Sequence, residues 1–391
     1  MKVPFNRIKA SGLMVEAVTN SLGSSIGIEP EKGHWSVDGP CTQLVLEQRR
    51  SLMPDSLLLM TTSASQALEM AVSLSGIGPG DEVILPSYTY SSCANAILSV
   101  GAVPVFAAVS PETLCLDPES VERLITAKVK AVMPVHYGGI PADMEALMAL
   151  RQAHQWILIE DAAQAIGSTW HGRALGSIGD FGAISFHDTK NLTSGEGGLL
   201  LVNEPQQAKW DRAQIYHQKG TDRLQFLKGQ RDRYEWVGPG VSASPSELLM
   251  ALLSPQLDDL EAVNGRRRAI VSRYAAVLKA AEAPEVLSYT QAHPNGNGHL
   301  FFVRFRASAK ADAFMAFMNS RGIDVRTHYQ PLHAAPHGRA FRCDPVLLSG
   351  QDSDLGKCVV RLPMSHHLED SEIDYVCEVL KDALIHSHTG L

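Results

Sequence analysis

The sequence predicts an α/β fold with one large, mainly parallel sheet, followed by a smaller α+β domain. Seven short apolar runs alternate with amphipathic stretches between residues 57 and 203, which is typical of strands joined by crossover helices. Beyond about residue 255 the order changes to a long helix, one strand and further helices. The length of 391 residues also exceeds what one core usually holds. We therefore expect a large domain over 1–255 and a small domain over 256–391.

The apolar runs are the expected strands of the large sheet. They are 57–60, 82–86, 103–109, 130–136, 156–160, 183–187 and 197–202. Apolar residues at helical spacing lie between these runs at 65–74, 92–100 and 143–155. In the small domain we expect helices over 257–281, 309–320 and 371–385, a strand over 299–305 and a loop over 288–298.

The composition excludes several functional classes. With 45% hydrophobic and 19% charged residues, the chain has the make-up of a globular protein. A net charge of -8 provides no basic footprint for nucleic acid, and no apolar stretch of about 18 residues could span a membrane. The six cysteines form no close CxxC pair, so we expect no metal site and a reducing, cytoplasmic setting.

A carboxylate, an amine and a hydroxyl-rich turn each follow an apolar run, where a strand is expected to end. Asp161 follows the fifth run, Lys190 follows the sixth, and Thr61–Ser65 opens a helix after the first. Ligands of open α/β sheets collect at these carboxyl ends. Pyridoxal phosphate (PLP) needs a lysine for a Schiff base, a carboxylate at its pyridine nitrogen and donors for its phosphate. The pattern favours a PLP site with Lys190 and Asp161 as catalytic residues.

Three further residues could complete such a site. Ser65 could present backbone N–H groups at the helix start, Ser185 could add a hydroxyl, and Tyr90 could lie over the cofactor ring. Each alone is equally consistent with a structural role, as a helix cap, a satisfied strand hydroxyl and a packing residue. Asp161 alone could likewise cap a helix, and Lys190 could be a solvated loop residue. The order of these residues along the chain favours the cofactor site.

Several motifs together resemble a known enzyme family. The sequence reads TTSASQALEM over 61–70, EDAAQ over 160–164 and SFHDTK over 185–190. In this order they resemble the sugar aminotransferases of the DegT/DnrJ/EryC1/StrS type, which act on nucleotide-linked keto sugars. The resemblance covers nearly the whole chain and is strongest over 57–203.

Three later segments resemble one branch of that family. They are 220–236, 297–303 and 328–333. They are similar to enzymes that make dTDP-4-amino-4,6-dideoxyhexoses, most closely the dTDP-4-amino-4,6-dideoxygalactose transaminases. The resemblance implies amination of dTDP-4-keto-6-deoxyglucose, with glutamate as donor and 2-oxoglutarate as the second product.

The resemblance also implies a PLP enzyme of fold type I, a homodimer with active sites at the subunit interface. It implies that Lys190 binds the cofactor, that Asp161 faces its pyridinium and that Gln164 neighbours its phenolic oxygen. The other implied cofactor contacts are Ala64, Ser65 and Ser185 at the phosphate, Tyr90 stacked on the ring, and Ser242 reaching the phosphate from the partner subunit.

The resemblance implies substrate contacts from three histidines, and a basic run could add others. The candidates are His187, Arg223, Arg231, His299 and His328. Arginines in the 220–236 segment could bind a diphosphate, although a solvated loop face is an equally good interpretation.

Other functions remain open from the sequence. A related sugar 3-dehydratase would carry histidine in place of Lys190, and the lysine argues against it. The core motifs do not exclude a sugar-nucleotide 3-aminotransferase. A catalytically silent homologue that only binds PLP or a sugar nucleotide is the alternative from outside the enzymes.

Overall fold

The computed structural model describes residues 1–26, 39–50, 52–203, 206–349 and 354–389. All seven predicted strands of the large sheet are present. In chain order the first nine strands are β1 (Leu57–Thr61), β2 (Glu82–Pro86), β3 (Val103–Ala107), β4 (Val129–Val132), β5 (Ile157–Asp161), β6 (Thr169–Trp170), β7 (Arg173–Ala174), β8 (Phe181–Ser185) and β9 (Gly198–Val202). Strands β6 and β7 form a separate hairpin.

The large sheet has the order β1-β9-β8-β5-β4-β2-β3. Strand β9 runs antiparallel to both β1 and β8, whereas β8, β5, β4, β2 and β3 pair in parallel. The prediction of a mainly parallel, seven-stranded sheet is confirmed. The carboxyl ends of β1, β2, β5 and β8 consequently meet at one edge.

Helices cover both faces of this sheet, and each face carries its own apolar core. The first nine are α1 (Gly12–Ile26), α2 (Pro40–Arg50), α3 (Ala64–Ser75), α4 (Ser91–Leu98), α5 (Pro118–Arg123), α6 (Met144–His154), α7 (Gln207–His217), α8 (Arg223–Leu227) and α9 (Glu247–Leu253). Helix α3 begins after Ser63, whose hydroxyl accepts the N–H of Gln66 at 3.1 Å, and ends at Gly76 with φ of 82°.

The C-terminal part forms a second, four-stranded antiparallel sheet with the order β10-β11-β13-β12. Its elements are α10 (Leu260–Ala281), β10 (Val286–Tyr289), β11 (Phe302–Phe305), α11 (Ser308–Ser320), β12 (Arg326–Thr327), α12 (Leu355–Cys358), β13 (Val359–Arg361) and α13 (Asp370–Thr389). This confirms the expected α+β character. No helix among the described residues is long and apolar enough to cross a membrane.

Several predicted boundaries shift, and local structure explains two of these shifts. The helix expected from residue 257 begins at Leu260, because Ser254–Gln256 forms a 3-10 turn that contains Pro255. The loop expected from residue 288 begins after Tyr289, because Ser288 and Tyr289 pair with β11.

The N-terminal residue Val3 packs in the core of the small sheet. The division of the chain at 255 and 256 stays a prediction.

A buried carboxylate fixes the connection between β5 and β8. Glu160 accepts three backbone N–H groups, from Gly176 at 2.9 Å, Ile178 at 2.7 Å and Gly179 at 2.6 Å. Its Oε2 also lies 3.0 Å from Nε2 of His136. Because Nδ1 of His136 accepts the N–H of Ala142, Nε2 is the nitrogen that donates to Glu160. This network holds the chain on either side of the end of β5.

Replacing Glu160 should destabilise the protein strongly. In Glu160→Ala the three N–H groups and His136 lose their acceptor in a fully buried place. We expect the free energy of unfolding to fall by about 3 to 5 kcal/mol, measured by urea denaturation followed through tryptophan fluorescence. Glu119→Ala is the control, because Glu119 is 86% exposed and its ion pair with Arg123 is long, at 4.0 Å. Equal losses in the two variants would contradict this role for Glu160.

Candidate active site

A cavity of about 930 Å³ opens at the carboxyl edge of the large sheet, and residues of the small sheet close its far side. Residues after β1, β2, β5 and β8 line it, as the sequence predicted. From the predicted set, the cavity is lined by Ala64, Ser65, Tyr90, Asp161, Gln164, Ser185, His187, Lys190, His299 and His328. The structure therefore brings together residues spread over more than 260 positions of the chain.

Lys190 lies in the loop after β8, and its backbone N–H bonds the carbonyl of His187 at 2.9 Å. Among the described residues, none accepts a hydrogen bond from its ammonium group. Burial lowers the pKa of Lys190 to about 8, and the charge of Arg361 adds to this effect while Asp161 opposes it. A lysine with a pKa near neutrality is suited to forming a Schiff base and to moving protons.

Asp161 is the last residue of β5 and is 6% exposed. Its Oδ1 accepts the N–H of Ala163 at 3.0 Å, and its Oδ2 accepts the thiol of Cys93 at 3.0 Å. Burial, together with the Asp161 charge, raises the pKa of Cys93 well above its ordinary value, so the thiol stays a neutral donor. The carboxylate is thereby held in one orientation at the wall of the cavity.

The start of helix α3, where the sequence predicts a phosphate contact, lines the cavity. Ala64 and Ser65 are its first two residues, and their N–H groups have no acceptor within the helix. The Ser65 hydroxyl lies 2.6 Å from that of Ser92. Gly198 of β9 passes so close that a Cβ there would lie 2.3 Å from the carbonyl carbon of Ser63. Only glycine allows this approach, which places the start of α3 against the sheet.

Two side chains predicted to face the cofactor ring, Tyr90 and Gln164, line the cavity. Tyr90 precedes α4 and is 60% exposed, with its ring centroid 6.0 Å from that of Tyr329. The Gln164 amide accepts the N–H of Gly138 at 2.7 Å and donates to the hydroxyl of Tyr329 at 3.2 Å. Both of its ends are fixed, so its position does not depend on a ligand.

His299 is held by an asparagine network. Its Nδ1 lies 2.9 Å from Oδ1 of Asn191, whose Nδ2 donates to Asn264 at 2.8 Å and to the carbonyl of Asn297 at 3.2 Å. These bonds assign the proton to Nδ1 and leave Nε2 as an acceptor. Burial and the nearby charge of Lys190 lower the pKa of His299 well below its ordinary value. His299 is therefore a neutral hydrogen-bond acceptor in the cavity.

The other two histidines differ in how firmly they are held. Nδ1 of His328 lies 2.7 Å from the hydroxyl of Tyr137, and its ring stacks on Tyr329 with a centroid distance of 3.5 Å. Burial lowers the pKa of His328, so it too is neutral. His187 is half-exposed and lies 3.0 Å from the hydroxyl of Thr189. Both line the cavity, in agreement with their prediction as substrate contacts, although their roles stay predictions.

Three predicted residues do not line the cavity of their own chain. Arg223 begins α8, and Nε of Arg231 donates to Oε1 of Gln225 at 2.9 Å and forms an ion pair with Oδ2 of Asp222 at the same distance. Ser242 is exposed and forms an isolated bridge with Gln218. Their predicted contacts with substrate and phosphate would have to be made in a partner subunit.

Some residues of the cavity were missed in the sequence. They are Phe5, Arg267, Arg326, Tyr329 and Arg361, and Cys93, which bonds Asp161 from behind the cavity wall, was missed as well. Tyr329 stands next to a predicted histidine and could have been found from that motif. Arg361 ends a short apolar run, VVR, which has the pattern of a small strand. Phe5 gives no such signal, because only the tertiary fold places the N-terminus against β12 and β13.

The residues present fit PLP. The cavity holds an amine with a lowered pKa, a fixed buried carboxylate and a helix N-terminus, the three groups that this cofactor requires. The exposed face of Tyr90 can cover an aromatic ring, and the size of the cavity leaves room for a second ligand beside the cofactor.

The sequence profile of the DegT/DnrJ/EryC1/StrS aminotransferase family matches residues 29–381. The chain belongs to this family. The match confirms the predicted enzyme class, an aminotransferase, and with it PLP as the cofactor for which the site is built.

Solved structures agree with this assignment. DesV of S. venezuelae, solved with a ketimine intermediate, shares 29% identity over 98% of each chain with a TM-score of 0.84. The aminotransferase TlmJ of Streptoalloteichus hindustanus shares 26% identity over 98% of this chain and 99% of its own, with a TM-score of 0.85. Spr1654 of Streptococcus pneumoniae in its PLP form shares 25% identity over 99% and 100%, with a TM-score of 0.84. These aminotransferases confirm the predicted fold.

The lowered pKa of Lys190 makes a testable prediction for the cofactor-free enzyme. Only the unprotonated amine attacks the aldehyde of PLP, so the rate of binding should rise with pH to a midpoint near 8 and then level off. Stopped-flow absorbance in the visible range measures this rate, with Lys190→Ala as the control that lacks the band. A midpoint at or above about pH 10, the range of an ordinary lysine, would contradict the burial described here.

Proposed function

We propose that this aminotransferase transfers the amino group of glutamate to C4 of dTDP-4-keto-6-deoxyglucose, giving a dTDP-4-amino-4,6-dideoxyhexose and 2-oxoglutarate. The observation that carries the proposal is the convergence of Lys190, Asp161 and the start of α3 on one cavity in a chain of this family. The free thiols of all six cysteines support a reducing, cytoplasmic setting.

Lys190 and Asp161 have different roles in the proposed reaction. Bound PLP supplies an aldehyde that takes up amines and a ring that accepts electrons. Nζ of Lys190 removes the proton from Cα of the donor and, in the second half of the reaction, delivers a proton to C4 of the sugar. Asp161 keeps the facing ring nitrogen protonated by its negative charge, and Cys93 and Ala163 hold that carboxylate in place.

Neutral histidines suit recognition of a sugar. His299 and His328 are buried and uncharged, and Nε2 of His299 is an acceptor that can take the proton of a sugar hydroxyl. Neither histidine would attract the diphosphate, which therefore needs cations from elsewhere. Arg223 and Arg231, predicted for that role, lie outside the cavity of their own chain, and a partner subunit could bring them to it.

A homodimer would complete the site. The segment 226–237 exposes Phe226 at 37%, Tyr234 at 51% and Trp236 at 78%, and exposed aromatic groups of this kind favour an interface. Arg231 lies within this segment, and Ser242 follows it closely along the chain. We propose that the segment 226–237 and Ser242 reach the cavity of the partner subunit, where Arg231 meets the diphosphate and Ser242 the cofactor phosphate.

The central experiment tests the reaction itself. The enzyme, loaded with PLP, is incubated with glutamate and dTDP-4-keto-6-deoxyglucose, and NMR of the product shows whether C4 carries an amine and in which configuration. We expect Lys190→Ala to lower turnover by about 10³-fold, because it removes both the cofactor anchor and the proton carrier. Lys279→Ala, an exposed lysine of α10, is the matched control. Amination at C3 of a 3-keto sugar, with no reaction of the 4-keto sugar, would overturn the proposal.

Mixed dimers test the contribution of the partner. A subunit with Lys190→Ala and a subunit with Arg231→Ala are unfolded, mixed and refolded together, and native mass spectrometry measures the share of mixed dimers. In a mixed dimer one site carries both changes and the other carries neither, so the mixture should recover about a quarter of the wild-type activity. If mixed dimers form and activity stays at the level of the two separate variants, Arg231 does not act in the partner's site.

A further inference from the structure

The cavity is lined by four cationic side chains, those of Lys190, Arg267, Arg326 and Arg361. The positions of Lys190 and Asp161 assign the lysine to the cofactor. Each of the three arginines was missed in the sequence, and their hydrogen bonds decide which of them can bind a substrate.

Two of the three arginines already have acceptors. Arg267 donates to the carbonyl of Gly298 at 3.1 Å and to that of His299 at 2.6 Å. Arg326 forms a two-point ion pair with Asp324, at 3.1 Å and 2.7 Å. Arg267 thus holds the backbone of the cavity wall, and Arg326 is already paired with a carboxylate.

Arg361 differs from both. Among the described residues, no carboxylate or carbonyl accepts from its guanidinium group, and its Nε is enclosed without a hydrogen-bond partner. An enclosed cation without an anion is costly, and such groups are usually paired. The cavity therefore holds a cation that an anionic ligand can satisfy.

The guanidinium of Arg361 is held in place before any ligand binds. Arg361 ends β13, in register with Arg326 on β12 and Phe302 on β11. Its Cζ lies 4.7 Å from the ring centroid of Phe5, and the carbonyl of Phe5 accepts the N–H of Met364 at 3.0 Å. A planar group fixed on an aromatic ring loses little entropy when it binds a carboxylate with both of its N–H donors.

Arg361 also acts on the reacting end of the cavity. It lines the same cavity as Lys190 and His299, and its charge contributes to the lowered pKa of both. The α-carboxylate of an amino acid is attached to Cα, the carbon that carries the reacting amine. It must therefore lie close to the amine of Lys190. The diphosphate of a sugar nucleotide is separated from C4 by the sugar ring and lies farther away. The position of Arg361 therefore matches the first anion and not the second.

We propose that Arg361 binds the α-carboxylate of the amino-acid donor and sets the specificity of the first half-reaction. This inference rests on the proposed function for its donor, and the residue takes no part in transferring the proton. Because the keto sugar carries no carboxylate, Arg361 has no equivalent task when the sugar is aminated.

The two half-reactions of the PLP-loaded enzyme can be measured separately by stopped-flow absorbance. In Arg361→Met we expect kcat/KM for glutamate to fall by about 10²-fold, because one partner of an enclosed charge pair is lost. Arg361→Lys, which keeps the charge and loses the planar fork, should restore about a tenth of the wild-type value. Amination of the keto sugar by enzyme preloaded with the amine form of the cofactor should change by less than about threefold.

A donor without the α-carboxylate identifies the contact. 4-Aminobutanoate keeps the amine and the distal carboxylate of glutamate, so its kcat/KM should be unaffected by Arg361→Met. The dissociation constant of 2-methylglutamate, which binds but has no α-hydrogen to lose, should rise by about 10²-fold in the same variant. This spectroscopic titration shows a binding role without relying on turnover.

Arg321→Lys is the matched control, because Arg321 also lies over a phenylalanine, 4.9 Å from the centroid of Phe317, and does not line the cavity. Equal losses for glutamate and 4-aminobutanoate, equal losses in both half-reactions, or no loss would each overturn the inference. If the wild-type enzyme uses glutamine or aspartate instead, the same measurements apply to that donor. If it converts the donor but no 4-keto sugar, the proposed function fails while the assignment of Arg361 stands.

Discussion

The buried carboxylate of Glu160, near the end of β5, makes the hydrogen bonds on which the site depends. It accepts three backbone N–H groups and faces His136, so the end of β5 and the start of β8 are tied together. Strand β5 delivers Asp161, and β8 leads to Lys190. Two neighbouring acidic residues thus have separate tasks, because alternate residues of a strand point to opposite faces of the sheet. Glu160 organises the backbone, and Asp161 is presented to the cavity.

The charges of the cavity follow from burial as much as from residue type. Lys190 would be an ordinary ammonium group in water, whereas the enclosed cavity and Arg361 lower its pKa to about 8. The same desolvation keeps His299 and His328 neutral. The carboxylate of Asp161 accepts hydrogen bonds from the Cys93 thiol and the Ala163 N–H, and these bonds hold it towards the cavity. The cavity therefore holds the amine of Lys190, the carboxylate of Asp161 and two neutral histidines side by side.

Much of the fold could be predicted because apolar runs and their spacing are local properties. All seven strands of the large sheet lie where the runs indicated, and the residues that follow β1, β5 and β8 line one cavity. The prediction failed where a residue's structure depends on contacts with residues far away in the sequence. Ser288 and Tyr289 look like loop residues next to a proline and several glycines, but they pair with β11. Nothing near Phe5 indicates that it supports an arginine more than 350 positions away.

The sequence by itself determined the α/β class and the aminotransferase family, and it singled out Lys190 and Asp161 as candidate catalytic residues, since strand periodicity and the order of motifs are local properties of the chain. The tertiary structure decided which side chains share the cavity and which cations are already paired. Arg267 and Arg326 have acceptors, whereas Arg361 has none among the described residues, although the three are the same residue type. Hydrogen bonding and desolvation depend on neighbours in space, and no local pattern contains them.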